Sequence, residues 1–315
     1  MDQINQDFIE QVRLKSSDSA FNVLSEILPL NKEAIYRRLR GQVPFLYSEV
    51  VQIAQKLNIS LDNLNHISPD SYTFYSGTPE LYQDNKGYMD FFLAPEKHLS
   101  GLLSDGGTLN YISTSIPLAL VVNYEHLSRF RYFKWLHENR GLSPVKEKFS
   151  ETDLDTVYAK IPDKLLYLTR EIKSAYLISE MMFEHYIRYI KHFRKAGMLN
   201  DNDIALLKKD LQDLIDEFES ITASGRFPNG TNVEFYLTDL LLEASFGYYE
   251  HEQKEISIAS VFGMNYIVSY NHNIYNLYKK AFMDKKDYTS QISITGLAYR
   301  KAFIEHQREL VDKQL

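Results

Sequence analysis

The chain has 315 residues, a formal net charge of −7, 44% hydrophobic residues and 24% charged residues. These proportions are typical of a globular protein, and the length leaves room for more than one domain with its own core. The sequence contains no cysteine, which excludes disulfide bonds, zinc–thiolate sites and thiol redox sensing.

No apolar run in the sequence is long enough to span a bilayer. The first residues also lack the charged-then-apolar layout of a secretory signal. We therefore expect a cytoplasmic protein that has no membrane partner.

The first 66 residues carry the apolar spacing of five short helices. Apolar side chains recur every three or four residues, which is the period of a helix with one buried face. Polar and turn residues separate the helices, including Ser16–Ser19 before the second helix and Pro44 after the third. The apolar residues that mark the first, second, fourth and fifth helices are Ile4, Phe8, Val12, Phe21, Leu24, Leu28, Val50, Ile53, Ala54, Leu57, Leu61 and Leu64. Such a bundle is large enough to be an independent domain, to which we assign residues 1–66.

The third predicted helix, Lys32–Arg40, has one apolar and one cationic face. Asn31 is a suitable N-cap, and Gly41 follows where a left-handed residue usually ends a helix. Helical spacing separates the apolar side chains of this segment from the charged ones. The residues that it places in the core are Ala34, Ile35 and Leu39.

Positive charge is concentrated on this helix. Residues 1–66 have a net charge of −1, but residues 31–42 contain four cations and one carboxylate. A cationic helix face with several hydrogen-bonding side chains is typical of an element that meets DNA phosphates and base edges. The predicted DNA-binding residues are Lys32, Tyr36, Arg37, Arg40 and Gln42.

The ordered set of apolar, capping and turn residues resembles the lambda-repressor-like, Xre-type (Cro/cI) helix-turn-helix family over about the first fifth of the chain. The matching residues are Leu24, Leu28, Leu30, Asn31, Ala34, Ile35, Leu39, Gly41, Pro44, Ile53, Ala54, Leu57, Ile59, Ser60, Leu61, Asp62 and Leu64. Three positions depart from the pattern: Phe21 replaces a Gln that often contacts DNA, Ser25 replaces an Ala, and Pro29 replaces the turn Gly. The resemblance implies a homodimer that binds a palindromic site on double-stranded DNA, often as a repressor.

Residues 67–87 are rich in Pro, Gly, Ser, Asp and Asn and are predicted to be a linker, which leaves residues 88–315 as a second domain. Two apolar patterns predict long helices, one from Leu165 to Phe193 and one from Ile204 to Ile221, that pair as an antiparallel hairpin. The other predicted elements are strands at 108–114, 118–122, 233–237, 256–258 and 266–270, a polar connection at 246–255, and helices at 124–137, 272–283 and 295–313. The predicted fold class is therefore α+β: an all-α N-terminal bundle, then a larger domain with the helical hairpin and a small antiparallel or mixed sheet.

The second domain carries two kinds of residue that could form a site. Aromatic clusters are suited either to line a pocket for a small-molecule effector or to fill the core. These clusters are Phe130, Tyr132, Phe133 and Trp135, and Tyr248 with Tyr249. The histidines, including His185 and His192, lack the spacing of metal ligands, so we expect no metal and no cofactor.

No local catalytic motif is present in the sequence. It has no phosphate-binding glycine loop, no nucleophile elbow and no metalloprotease helix, so we predict no catalytic residue and no enzyme activity. The sequence predicts a dimeric DNA-binding transcriptional regulator, a repressor whose second domain dimerises the protein and senses a signal. Two other classes stay open: a helical protein-interaction module that does not bind DNA, and an enzyme that acts on a small metabolite through its second domain.

Overall fold

The computed structural model describes residues 3–16, 19–57, 59, 61, 75–76, 88, 106–139, 147–159, 168–251, 254–261 and 265–315. Contacts between residues divide the chain into two units, Met1–Thr73 and Phe74–Leu315. The first unit is helical and the second combines helices with a mixed sheet, which confirms the α+β class. Within the predicted linker at residues 67–87, Tyr75–Ser76 is described and pairs with Ile267 and Val268 in the sheet of the second unit. The other residues of that segment, including its predicted ends, lie outside the described residues, so the linker stays a prediction.

Four helices form the described part of the first unit. They are α1 (Gln3–Lys15), α2 (Ala20–Ile27), α3 (Lys32–Leu39) and α4 (Tyr47–Leu57). These bounds confirm the first four predicted helices, whereas most of the fifth, at residues 60–64, lies outside the described residues. Their apolar faces meet in one core whose buried residues are Phe8, Ile9, Val12, Leu24, Leu28, Ile35, Leu39, Phe45, Ile53, Ala54 and Ile59. Burial of each larger side chain contributes roughly 1.5–3 kcal/mol, so this small unit is held by its own core.

The second unit is built on a sheet with eight described strands. The strands are β1 (Tyr75–Ser76), β2 (Thr108–Ser113), β3 (Lys173–Ser179), β4 (Val233–Thr238), β5 (Phe246–His251), β6 (Lys254–Val261), β7 (Asn265–Ser269) and β8 (Ser290–Gln291). Their order is β1-β7-β6-β5-β2-β3-β4-β8. The central strands β2, β3 and β4 are parallel, and the strands on either side pair antiparallel.

Helices cover both faces of this sheet. They are α5 (Leu118–Val121), α6 (Glu125–Asn139), α7 (Leu154–Tyr158), α8 (Leu168–Glu171), α9 (Met182–Lys195), α10 (Asp201–Ser224), α11 (His272–Lys286) and α12 (Leu297–Gln314), with a 3-10 turn at Phe149–Glu151. Tyr176 and Ile178 of β3 pack into a core with α6, α9, α10 and α12. Ala175 and Leu177 of the same strand pack into a second core with α11. The central strand is therefore buried on both faces.

The predicted long helix at residues 165–193 is wrong in its first half. Lys173–Ser179 is strand β3, and only Met182–Lys195 continues as a helix. All residues of β3 after the first are buried, and such a continuous apolar run also fits helical spacing. The predicted second helix is confirmed as α10, but α9 and α10 both pack against α12 instead of forming a separate long hairpin.

The segment 246–255 is not the predicted polar connection. Phe246–His251 is strand β5, which pairs antiparallel with both β2 and β6. Tyr248 and Tyr249 are buried in the cores on opposite faces of the sheet. The polar and charged residues that follow these tyrosines in the sequence, at 250–255, concealed this strand.

The apolar run 118–122 forms helix α5, and the predicted strand is wrong. Pro117 precedes the helix, at a position where its fixed φ and missing N–H are tolerated. Ala119, Leu120 and Val121 are all buried, so the run has no polar face from which a period could be read. The other predicted strands and helices of the second domain are confirmed, with their ends shifted by a few residues.

Candidate nucleic-acid interface

Helix α3 begins and ends where its local residues predict. The Asn31 side-chain oxygen accepts a hydrogen bond from the backbone N–H of Ala34 at 2.9 Å, which confirms the N-cap. Gly41 has a φ of +72°, in the left-handed region that favours glycine. The Gln42 backbone N–H then donates to the Arg37 carbonyl at 2.9 Å and closes the end of the helix.

The predicted DNA-binding residues lie on the outside of the first unit. Ile35 and Leu39 of α3 are buried in the core, while Ala34 is only half-buried. Lys32, Arg37, Arg40 and Gln42 are exposed, and Tyr36 is half-buried. Within the described part of the chain, none of these four exposed side chains has a hydrogen bond or an ion pair.

Arg38, the fourth cation of this segment, forms an ion pair inside the unit. Its Nε and Nη2 atoms donate to the two carboxylate oxygens of Glu49 at 2.8 and 2.9 Å, and both side chains are 11% exposed. Glu49 also accepts a hydrogen bond from the backbone N–H of Leu46 at 2.9 Å, at the start of α4. The pair therefore connects α3 to α4, and Arg38 does not add to the charge offered to a ligand.

A second arginine fixes the other side of α3. The Arg13 Nη2 atom, on α1, donates to the Leu39 carbonyl in the last turn of α3 at 2.9 Å. A cation at a helix C-terminus is favoured by the helix dipole as well as by the hydrogen bond. Contacts from α1 and α4 thus hold α3 with its cationic face outward.

The exposed cations match the width of a DNA groove. Lys32 and Arg40 are eight residues apart along α3 and its C-cap. At a rise of 1.5 Å per residue their Cα atoms are about 12 Å apart, and the major groove of B-DNA is about 12 Å wide. Cations at the two ends of α3 are therefore suited to the phosphates on the two sides of one groove.

Two aromatic rings lie between these cations, an arrangement that sequence reasoning missed. Phe21 of α2 stacks on Tyr36 of α3 with ring centroids 4.9 Å apart and an interplanar angle of 8°. The Lys32 ammonium lies 5.9 Å from the centroid of the Phe21 ring, and the Arg40 guanidinium lies 5.7 Å from that of Tyr36. The one sequence signal for this arrangement is that Phe21 occupies a position where the family that the chain resembles often has a Gln that contacts DNA.

The aromatic clusters of the second unit belong to its core. Phe130 packs against Phe133, Phe149, Tyr186 and Phe193, with ring centroids between 5.4 and 6.2 Å apart. Trp135 packs against Tyr88 and Tyr132, and all three are buried. Burial raises the pKa of Tyr176, in the same core as Phe130, to about 12. These rings therefore fill the core. This is one of the two roles that the sequence allowed for them, the other being to line a pocket for a small-molecule effector.

The histidines make isolated contacts. The Nδ1 atom of His185 lies 2.6 Å from the Thr114 carbonyl, and that of His126 lies 3.3 Å from a carboxylate oxygen of Asp210. In the part of the chain that the structure describes, no three His, Asp or Glu side chains are grouped as metal ligands. No described helix is both long enough and apolar enough to cross a membrane.

Comparison with known proteins identifies no family. No protein-family model matches the chain, and no curated protein matches it. Among solved structures, the chain matches that of TrmBL2, described as an archaeal chromatin protein with a novel mode of DNA binding. The match has 8% identity over 91% of this chain and 99% of that chain, with a TM-score of 0.23, which is too low to indicate a shared fold.

Proposed function

We propose that the chain is a DNA-binding transcriptional regulator in which α2 and α3 act as an Xre-type helix-turn-helix, with α3 in the major groove. The observation that carries the proposal is that some cations around α3 are paired inside the unit and others are exposed. Arg13 and Arg38 are bound inside the unit, whereas Lys32, Arg37 and Arg40 are exposed and have no ion-pair partner among the described residues.

Exposed cations without ion-pair partners are suited to DNA phosphates because binding then releases counterions from the duplex and breaks no internal ion pair. Lys32 and Arg40, at the ends of the helix, are placed for phosphates, and Arg37 and Arg40 can also form paired hydrogen bonds with guanine. Gln42 lies just past the helix, where its amide can contact a base or the backbone. Arg38, which is paired with Glu49, has no such role.

The proposal includes a homodimer on a palindromic site, with the second unit joining two copies. Residues 1–66 have a net charge of −1, so the long-range attraction of one N-terminal unit to DNA is small. Two linked units bind with an effective concentration that compensates for a weak single contact. A repressor that responds to a signal would change the relative placement of the two units.

A binding titration of the full chain tests the proposal. Fluorescence anisotropy with a labelled duplex that the chain selects from a random pool, repeated between about 50 and 300 mM salt, should show affinity that falls as salt rises. The Arg37→Ala/Arg40→Ala variant should bind more weakly by about 2–6 kcal/mol if both side chains reach bases, and by less if they reach phosphates. Each lost phosphate contact should reduce the salt slope by about 0.9.

Lys56→Ala is the matched control. Lys56 is an exposed cation in the last turn of α4, in the same unit but outside α3. Its removal should leave affinity within about twofold of the unaltered chain, since a surface charge outside the interface changes little. Absence of salt-dependent binding, or equal binding by the double variant and the Lys56→Ala control, would contradict the proposal and favour a protein-interaction module.

A further inference from the structure

We infer that the stacked rings of Phe21 and Tyr36 recognise the C5-methyl group of a pyrimidine, in thymine or 5-methylcytosine, in the major groove. The inference rests on the proposed DNA binding and adds the chemical feature that the interface selects. It assigns a direct role to Phe21, which the sequence placed outside the set of DNA-binding residues.

The rings form a small apolar surface within a charged face. Phe21 and Tyr36 stack almost parallel and are each only half-buried, so part of both rings meets solvent. Lys32 lies beside one ring and Arg40 beside the other, so the stack occupies the middle of the span between the two cations. Phosphate contacts at both ends would bring this stack against the floor of the groove.

An apolar surface at that place has a specific complement in DNA. Most base edges in the major groove offer hydrogen-bond donors or acceptors, and the C5-methyl group of a pyrimidine is the apolar exception. Contact with a methyl group removes apolar surface of both partners from water, whereas contact with a polar edge leaves that edge without a hydrogen bond. The stack therefore favours a methylated pyrimidine over cytosine or uracil.

Tyr36 can also fix the orientation of the contact. Within the described residues its hydroxyl has no hydrogen-bond partner, and the side chain is half-buried. A phenol hydroxyl can donate to a phosphate or accept from a base amino group while the ring edge meets a methyl. A stack that served only to pack α2 against α3 would be indifferent to the methyl group of the DNA.

The test uses the full chain and the duplex that it selects from a random pool. Anisotropy titrations compare this duplex with one in which deoxyuridine, which lacks the methyl group, replaces thymine at each position of the site in turn. At the contacted position, loss of the methyl should weaken binding about fourfold. In a second series, 5-methylcytosine replaces each cytosine of the site in turn. An increase in affinity at one position shows that the interface also recognises the C5-methyl group of 5-methylcytosine.

Protein variants identify the side chain that is responsible. Phe21→Ala removes the ring without adding a hydrogen-bonding group, so it should weaken binding and bring the ratio of the thymine and deoxyuridine affinities close to one. Tyr47→Ala, which alters an aromatic residue of α4 that is 82% exposed, should keep the ratio of the unaltered chain. Circular dichroism verifies that both variants are helical. The comparison of thymine and deoxyuridine duplexes uses the unaltered chain, so it does not depend on whether a variant folds.

Equal affinity of the unaltered chain for the thymine and deoxyuridine duplexes at every position, together with no gain from 5-methylcytosine, would overturn the inference. A methyl preference that Phe21→Ala leaves unchanged would also overturn it. Neither result affects the proposed function, because the duplexes are still bound. Failure to bind any duplex would instead reject the proposed function and this inference with it.

Discussion

Arg37 and Arg38 are neighbours in the sequence but have opposite environments in the folded chain. Helical geometry turns Arg37 outward, whereas Arg38 reaches Glu49 on α4 and is largely removed from water. A charged pair at low exposure holds its helices in one arrangement, because breaking it leaves an uncompensated charge. The orientation of the cationic face therefore depends on Arg38, which is not itself part of that face.

Loss of the Glu49 carboxylate should loosen α3 and α4. In Glu49→Ala the Arg38 guanidinium loses its partner and the Leu46 N–H loses its acceptor, so we expect a cost of about 3 kcal/mol to the first unit. Hydrogen exchange read by mass spectrometry should show amides of α3 and α4 exchanging about a hundredfold faster. Glu26→Ala, at an exposed position of α2, is the control and should change exchange little. Equal exchange in the two variants would show that the pair does not hold the helices.

Capping residues in the sequence predicted where α3 begins and ends, but not which residues of other helices it contacts. Asn31 and Gly41 act through hydrogen bonds and a backbone angle within a few residues, so their roles follow from the sequence alone. The pairing of Arg38 with Glu49 and the stacking of Phe21 on Tyr36 depend on how separate helices pack. The exposed cations of the candidate site could therefore be predicted from the sequence. The ion pair of Arg38 and the stacked rings of Phe21 and Tyr36 could not.

The connection from β8 to α12 contains a strained element. Ile294 has a φ of +61°, which is unfavourable for a β-branched residue, and Gly296 follows with a φ of +63°. The Ile294 backbone N–H donates to the Thr222 carbonyl at 2.8 Å, and its side chain lies over Gly225 at the end of α10. The turn thus attaches the start of α12 to the end of α10 at the cost of an unfavourable backbone angle.

Relief of this strain should stabilise the second unit. Ile294 is 63% exposed, so Ile294→Asn removes little buried apolar surface and introduces a residue that tolerates the left-handed region. We expect the free energy of unfolding to rise by about 1 kcal/mol. Urea unfolding followed by the fluorescence of Trp135, the single tryptophan, measures this in the same unit.

Leu241→Asn is the control for that variant, because Leu241 is 70% exposed and has an ordinary backbone angle. It should leave the free energy of unfolding unchanged within about 0.5 kcal/mol. A midpoint for Ile294→Asn that equals or falls below that of the unaltered chain would mean that side-chain packing on Gly225 outweighs the strain.

The elements that sequence predicted incorrectly are those whose form depends on the rest of the sheet. β2, β4 and β7 have readable alternation, and α10 has a long amphipathic pattern, so each could be predicted. β3 is buried on both faces, which erases the alternation that identifies a strand at a surface. β5 alternates poorly because Tyr248 and Tyr249 are buried on opposite sides of the sheet.

At the scale of the whole molecule, charge is unevenly distributed. The chain has a net charge of −7, and the exposed cations of α3 stand out against this acidic background. If α3 binds DNA as proposed, long-range attraction to the duplex is weak, and contacts made inside the groove supply the affinity. A second copy joined through the larger unit would add to those contacts and set the spacing of two half-sites.

Selection from a pool of random duplexes tests most directly that α3 reads DNA. Rounds of binding and amplification with the full chain should enrich a short motif, present twice with a fixed spacing if two copies bind together. The Arg37→Ala/Arg40→Ala variant, taken through the same rounds, should lose the motif, whereas Lys56→Ala should recover it. A pool that stays random with the unaltered chain, or an identical motif recovered by the double variant, would contradict the assignment of α3 as the DNA-reading element.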